Sequence, residues 1–527
     1  MSRRTLAAVT TVGALLAGTL AFTTPATSHP AHAADDARPT ETQWRSLWVD
    51  SFRPSIYTPE NVDKLVADAK ALRVNALIVQ VGRWMDCFCN RSTFPRTHVA
   101  IDPDFDPLEY VVEKAHAAGI EVHAWVNATP LWNAASPPPS PDHIFHTHGE
   151  TATGDDRWLN KRHDGTERVG NMLLLDPANP AAVDYLVDGI ASIVREYDVD
   201  GINLDYIRYP DYNSTTEHSD WGYSDVSLRR FAAATGRTDV PEPDDPQFSD
   251  WRREQVTQLV RKIYLTMYDI DPRARLSING ITYGFGPQSV GGWERTRTYA
   301  EVLQDWKGWL AEGIIDTNVA MNYKREFLPD QYQMFREWNE VLADWQYGRH
   351  NVVGPALYLN SVEDSVRQAR AALARTSAGN RVAGWSGYSY AVPSATADAD
   401  PSLADAERAA LTTALTAEDP DGATPLFARP AKVPPMTWKI RPTKGHITGE
   451  LVAADGTPAD QVEVSLTRPG TGTVVATKRT DGSGWFGFVD VRPGRWTVTA
   501  TLPDGATSVA TVTVQPGRIA TATFSPR

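Results

Sequence analysis

Eight short apolar runs recur between residue 45 and about residue 417, each followed by a stretch of helical spacing, and few folds accept that alternation. The runs are Arg45-Ser-Leu-Trp-Val-Asp50, Asn75-Ala-Leu-Ile-Val-Gln-Val81, Ile120-Glu-Val-His-Ala-Trp-Val-Asn127 and Gly201-Ile-Asn-Leu-Asp-Tyr206. The second half adds Ala274 to Asn279, Thr317 to Tyr323, Val352 to Tyr358 and Val382 to Tyr388. Near-continuous apolar strands separated by helices such as Pro59–Leu72 and Pro107–Ala118 predict a parallel sheet with helices packed outside it. Gly119 closes the second of these helices. Eight repeats predict an α/β chain folded as a (β/α)8 TIM barrel over residues 42–418. A doubly wound open sheet is the alternative, but no Gly-rich phosphate loop follows the first strand.

The fourth run carries the most chemical information. Asp205 interrupts an apolar segment from Gly201 to Ile207, and burying an unpaired carboxylate costs several kcal/mol. Such a residue is tolerated where a strand end opens into a site, which in a barrel is the C-terminal face. Upstream, Val183, Leu186, Val187, Ile190, Ile193, Val194 and Tyr197 follow helical spacing.

Other segments bound the class. Arg3 and Arg4, the apolar stretch Leu6–Ala21 and Ala31-His32-Ala33 predict a signal peptide over residues 1–33, of Sec or twin-arginine type, and hence a secreted, extracellular or cell-wall-associated protein. Its apolar run is too short and interrupted for a membrane span, so no transmembrane segment is expected. Its removal takes away two arginines and shifts the net charge from −14 to −16, which excludes nucleic acid as a partner. Seventeen tryptophans suit sugar platforms and cores alike. The two cysteines, Cys87 and Cys89, fit either free thiols or a local bridge. No cofactor and no metal is expected, and the long polar insertion 128–172, with His143, His146 and His148, is expected to shape the cleft. After a Pro/Ala-rich linker (419–442), alternating strands with Asp-Gly and Pro-Gly turns predict a small all-β sandwich over 443–527.

The motifs Arg45-Ser-Leu-Trp-Val-Asp, Val79-Gln-Val-Gly-Arg-Trp-Met-Asp86, His123-Ala-Trp-Val-Asn127 and Asp200-Gly-Ile-Asn-Leu-Asp-Tyr-Ile-Arg-Tyr-Pro resemble the glycosyl-hydrolase-like family 10 domain. Gln304-Asp-Trp306, Gly313-Ile-Ile-Asp316 and Met321-Asn-Tyr323 extend the resemblance to about residue 370. Thr480 to Phe488 with Pro493-Gly-Arg-Trp resembles the carboxypeptidase regulatory-like, transthyretin-type modules. The first resemblance implies a TIM barrel that cleaves glycosidic bonds in a polysaccharide or peptidoglycan glycan. Asp176-Pro-Ala-Asn-Pro with Asp200 to Asp205 is also similar to the strand-4 region of α-amylases, which implies Asp205 as nucleophile. Asn203 stands where those enzymes carry Arg, so a charge-stabilising role is the alternative.

Glycoside hydrolysis requires a second carboxyl as proton donor. The candidates are Glu326, which is preferred, and Glu294, with Asp50, Asp86 and Asp305 as outsiders. Substrate contacts are expected from Asp50, Arg83, Asp86, His123, Trp125, Asn127, Tyr206, Arg208, Asn279, Asn322, Tyr323 and Trp385, all at or beside predicted strand ends. The protein is expected to act as a monomer. A barrel that binds glycan without cleaving it is the rival reading, and a metal-dependent deacetylase or peptidase lacks a His-Asp ligand motif.

Overall fold

Four helices begin with the same device, a capping side chain followed by proline. Thr58-Pro59, Asp106-Pro107, Asn179-Pro180 and Asp245-Pro246 each place an oxygen acceptor on the first free N–H groups and a fixed φ at the first helical position. The computed structural model describes residues 41–417, 424–453, 455–470, 472–502 and 505–524. The expected signal peptide lies outside the described residues.

The eight barrel strands are β1 (Trp44–Val49), β2 (Ala76–Gly82), β3 (Glu121–Asn127), β4 (Gly201–Asp205), β5 (Arg275–Ile281), β6 (Thr317–Met321), β7 (His350–Gly354) and β8 (Gly384–Tyr388). All pair in parallel, and β8 closes on β1 with Tyr388 opposite Trp48. The expected (β/α)8 barrel is therefore the observed fold. Strand residues alternate between the two faces, apart from a register shift in β2 between Gln80 and Gly82. Trp44, Trp48, Ile78, Trp125, Val319 and Val352 fill the barrel interior. Their neighbours Leu47, Val79, Val126, Leu204, Ile278 and Trp385 join the helix-side core.

The stretch expected as a linker is docked beneath the barrel where it is described. Phe427 is buried against Trp385, Ala431–Lys432 pairs in parallel with Glu41–Thr42, and Lys439 meets the buried Asp316 at 2.7 Å. Beyond it, the expected sandwich has, among the described residues, sheets of four and three strands around Val464, Phe486, Phe488 and Val498. Among the described residues no helix is long and apolar enough to cross a membrane.

Candidate active site

Asp205 ends β4 on the inward parity, at the mouth of the barrel. Its Oδ1 accepts the N–H of Tyr206 at 2.7 Å, and Tyr206 sits at φ 50, a left-handed conformation that costs a side-chain-bearing residue about 1–2 kcal/mol. Asn279 on β5 also bonds the Asp205 carboxylate. The Trp48 indole N–H donates to Asn279 Oδ1 at 3.1 Å, which turns the asparagine amide N–H2 toward Asp205. Burial raises the proton affinity of Asp205 above the ordinary carboxylate value, against the opposing effects of Asn279, the Tyr206 N–H and Arg208. Arg208 supplies the cation that Asn203 does not. The Asn203 amide instead donates to Ser277 Oγ at 3.0 Å, one layer down the barrel.

Asp205 opens into a cleft of about 290 Å³ whose walls are largely aromatic: Phe52, Trp125, Tyr206, Tyr283, Tyr323, Tyr358 and Tyr388. Tyr323 and Tyr388 stack at 5.3 Å, and Trp48 stands edge-on beneath both. A polar chain crosses the other wall. Trp125 Nε1 donates to Asn127 Oδ1 at 2.9 Å, the Asn127 amide donates to the Arg83 carbonyl, and Gln80 accepts from Ser51. Lys324 also lines the cleft, with Nζ donating to the Thr282 carbonyl at 2.8 Å. Among the described residues no carboxylate besides Asp205 lines this cleft.

Six residues expected from sequence meet on these walls: Asp205, Trp125, Asn127, Tyr206, Arg208 and Tyr323. Three more stand just behind. Asn279 holds Asp205, and Arg83 donates to the Ser51 carbonyl at 2.7 Å with its guanidinium 5.7 Å from the Phe52 ring. Asp50, buried at the exit of β1, accepts the Phe52 N–H at 3.3 Å. Burial raises its proton affinity, against bonds from Ser389 and the Phe52 N–H. Tyr388 lies within the electrostatic reach of both Asp50 and Asp205.

The remaining expectations need correction. His123 faces inward but near the bottom of the barrel, paired in register with Gly201, with its ring tilted against Trp44 at 4.9 Å and 3.2 Å from Glu121. Trp385 and Asn322 have the opposite parity to their neighbours Tyr388 and Tyr323. Trp385 is wholly buried against Phe427, and the Asn322 amide donates to the Phe335 carbonyl and Asn339. Asp86 caps its own loop by accepting the N–H groups of Arg83 and Trp84. Glu326 is tied to Arg336 at 2.7 Å and does not line the cleft. Glu294 is exposed in an adjoining depression. No residue of the 128–172 insertion lines the cleft. His143 bonds the Trp84 carbonyl and His148 stacks on Trp158 at 3.5 Å, so these rings are structural. Asp176 likewise serves the fold, accepting from Ser224 and Ser227 at the start of the helix Asp225–Thr235. Cys87 and Cys89 form a disulfide.

Phe52, Gln80, Tyr283, Lys324, Tyr358 and Tyr388 were not anticipated. Tyr388 was accessible in principle, because strict alternation from Ser386 places it on the inner face.

The sequence of the barrel matches a known family over most of its length. The family model described as glycosyl hydrolase-like 10 matches residues 43–352, and that described as carboxypeptidase regulatory-like domain matches residues 446–526. The chain belongs to the glycosyl hydrolase-like 10 family. Among curated relatives, the glycosyl hydrolase YngK of Bacillus subtilis strain 168 is 27% identical over 292 residues, covering 53% of this chain and 52% of the relative. The glycosyl hydrolase DigH of Escherichia coli K12 is 24% identical over 272 residues, covering 48% and 55%. The chain thus spans about half the length of these relatives. Among solved structures, the glycoside hydrolase domain of PgaB (BpsB) from Bordetella bronchiseptica aligns with a TM-score of 0.47 at 15% identity, over 69% of this chain and 98% of that one.

Proposed function

We propose that the chain is a secreted, monomeric glycoside hydrolase of a bacterial cell-wall or extracellular polysaccharide, with Asp205 as its essential carboxylate. The observation that carries this reading is the position of Asp205, a buried acid on the wall of an aromatic cleft at the C-terminal mouth of the barrel. Family membership supports it, as do relatives named glycosyl hydrolases. Aromatic faces suit the C–H faces of sugar rings, while Asn127, Gln80 and Arg208 offer hydrogen bonds to hydroxyls.

In this reading Asp205 places negative charge against the oxocarbenium-like centre of the transition state. The proton donor in this reading is Asp50, the acid just behind the cleft wall at the exit of β1, once its side chain turns toward the glycosidic oxygen; burial raises the proton affinity of Asp50 and Asp205 alike, so the place of Asp205 on the wall itself is what divides the two roles. The proton passes from Asp50 to the leaving glycosidic oxygen as the bond from that oxygen to the anomeric carbon breaks, and the water that then adds to the anomeric carbon returns a proton to Asp50. Asp205→Asn is expected to abolish the release of reducing ends from purified glycan, by about 10³-fold or more. It should also leave the melting temperature unchanged or higher, since a raised pKa means that the ionised acid destabilises the fold above that pKa. Asp50→Asn should remove most turnover on natural glycan and spare an activated aryl glycoside, whose leaving group needs no proton. Glu326→Gln and Glu294→Gln should stay near wild type. Full turnover by Asp205→Asn would overturn the assignment.

One observation favours a second reading, a barrel that holds glycan without cutting it: the cleft wall carries a single carboxylate among the described residues. Glycan binding by the wild-type protein with no new reducing ends would support that reading instead.

A further inference from the structure

We infer that the further units of the glycan run away from Asp205 along one groove between the loops after β4 and β5. This rests on the reading of the cleft as a glycan site. The cleft itself, at about 290 Å³, is at the small end for a ligand pocket. Its Tyr283 wall is shared with a second depression of about 670 Å³, bounded by Thr216 and Glu217 on one bank and by Gly284, Glu294 and Arg297 on the other. That depression shares Glu217, Glu294 and Ala300 with a third, of about 550 Å³, which reaches Tyr299 and Arg253 at the head of the helix Pro246–Ile270. The three hollows therefore follow one another, each sharing lining residues with the next.

The rim that the first two hollows share is fixed rather than loose. The Tyr283 hydroxyl donates to Asp211 Oδ2 at 2.7 Å, which anchors it to the β4 side. The Arg297 guanidinium lies 5.0 Å from the ring centre on the β5 side, held in turn by Glu301 at 2.6 Å. Farther along, Arg253 covers Tyr299 at 3.6 Å and pairs with Asp250 at 2.7 Å. A groove whose banks are already tied is preorganised, so little ordering cost is charged against each sugar that enters it. Binding energy from units that lie outside the reacting centre can then be used at the scissile bond, and the rate should depend on chain length.

The test uses a di- to hexasaccharide series of a cleaved glycan with the full chain. The value of kcat/KM is expected to rise about tenfold or more from the shortest cleaved member to the longest. Thr216→Trp fills the second hollow from an exposed position, and Ala300→Trp fills the junction of the second and third. Neither residue touches the cleft. Each variant should erase the gain on long chains and leave the shortest cleaved substrate at its wild-type rate, with an unchanged melting temperature. Rates independent of length, or equal losses on short and long substrates, would overturn the inference. Should no glycan be cleaved, the hydrolase reading fails separately. The groove is then decided by calorimetry with the same oligosaccharides: affinity that rises with length and falls in Thr216→Trp supports it, and length-independent affinity rejects it.

Discussion

Lys324 brings a positive charge into the cleft where, among the described residues, no carboxylate pairs with it. Burial, aided by Arg297, lowers its pKa from 10.5 to about 7. In the unfolded chain the amine keeps its proton up to the higher value, so between about pH 7 and 10.5 the unfolded state binds more protons and stability rises with pH. The full cost of the buried charge is present below about pH 7. Lys324→Met should therefore raise the melting temperature most at pH 6–7, and the gap to wild type should close by pH 10. A variant less stable than wild type at pH 6 would mean that the bond to the Thr282 carbonyl outweighs the desolvation. The contrast with Asp205 shows what a sequence can reveal at this scale. A lone acid inside an apolar strand is conspicuous from its neighbours alone. Lys324 stands in an ordinary polar exit loop, and its meaning depends on the surfaces that fold over it. Glu326, two residues on, shows the same limit: whether it faced a sugar or Arg336 was decided by the helix Pro329–Asp344, which carries Arg336.

At the scale of elements, strand existence was legible and strand facing only partly so. Runs buried on both sides carry no polar alternation to mark the inner face, so Trp385 and Asn322 were assigned to the mouth although they sit one residue off the inner parity. Depth was equally hidden. His123 has the correct parity but lies near the entry of its strand, far below Asn127. The inner parity can be tested where backbone and side chain approach most closely. A Cβ on Gly354 of β7 would lie 2.3 Å from the ring of Trp48 and 2.8 Å from the Ala320 carbonyl. Gly354→Ala should cost about 1–3 kcal/mol of stability by overpacking. Because Trp48 orients Asn279 against Asp205, it should also lower kcat more than it changes KM. Denaturant unfolding and initial rates check the two parts, and an unchanged kcat would uncouple Trp48 from the site.

At the scale of the molecule, the sequence divided the chain into a barrel, a linker and a sandwich, but gave no sign that the three are joined by buried charge. Such pairs link residues more than a hundred positions apart, beyond the reach of any local pattern. Arg230 meets Asp460 at 2.6 Å, Lys262 meets Asp481 at 3.1 Å, and Arg349 meets Asp490 at 3.1 Å. Centrally, Glu312 of the barrel accepts from Arg261 at 2.5 and 3.0 Å and from Lys478 of the sandwich at 2.8 Å. Burial alone would raise the pKa of Glu312, but Arg261 and Lys478 hold it down, from 4.5 to about 2. The stability it contributes is present above pH 4.5 and is lost as the pH falls from there through about 2. Glu312→Gln leaves Arg261, almost wholly buried, with Glu254 at 3.3 Å as its one remaining carboxylate partner among the described residues. Removing one partner of a buried pair costs about 3–5 kcal/mol, and the residual Glu254 contact favours the lower end. Denaturant unfolding at pH 7 should show that loss, and limited proteolysis should release the sandwich sooner from the variant. The difference from wild type should shrink as the pH is lowered toward 2, where Glu312 itself becomes protonated. A gap that stays constant from pH 7 to pH 2 would mean that packing, and not this charge cluster, seats the sandwich on the barrel.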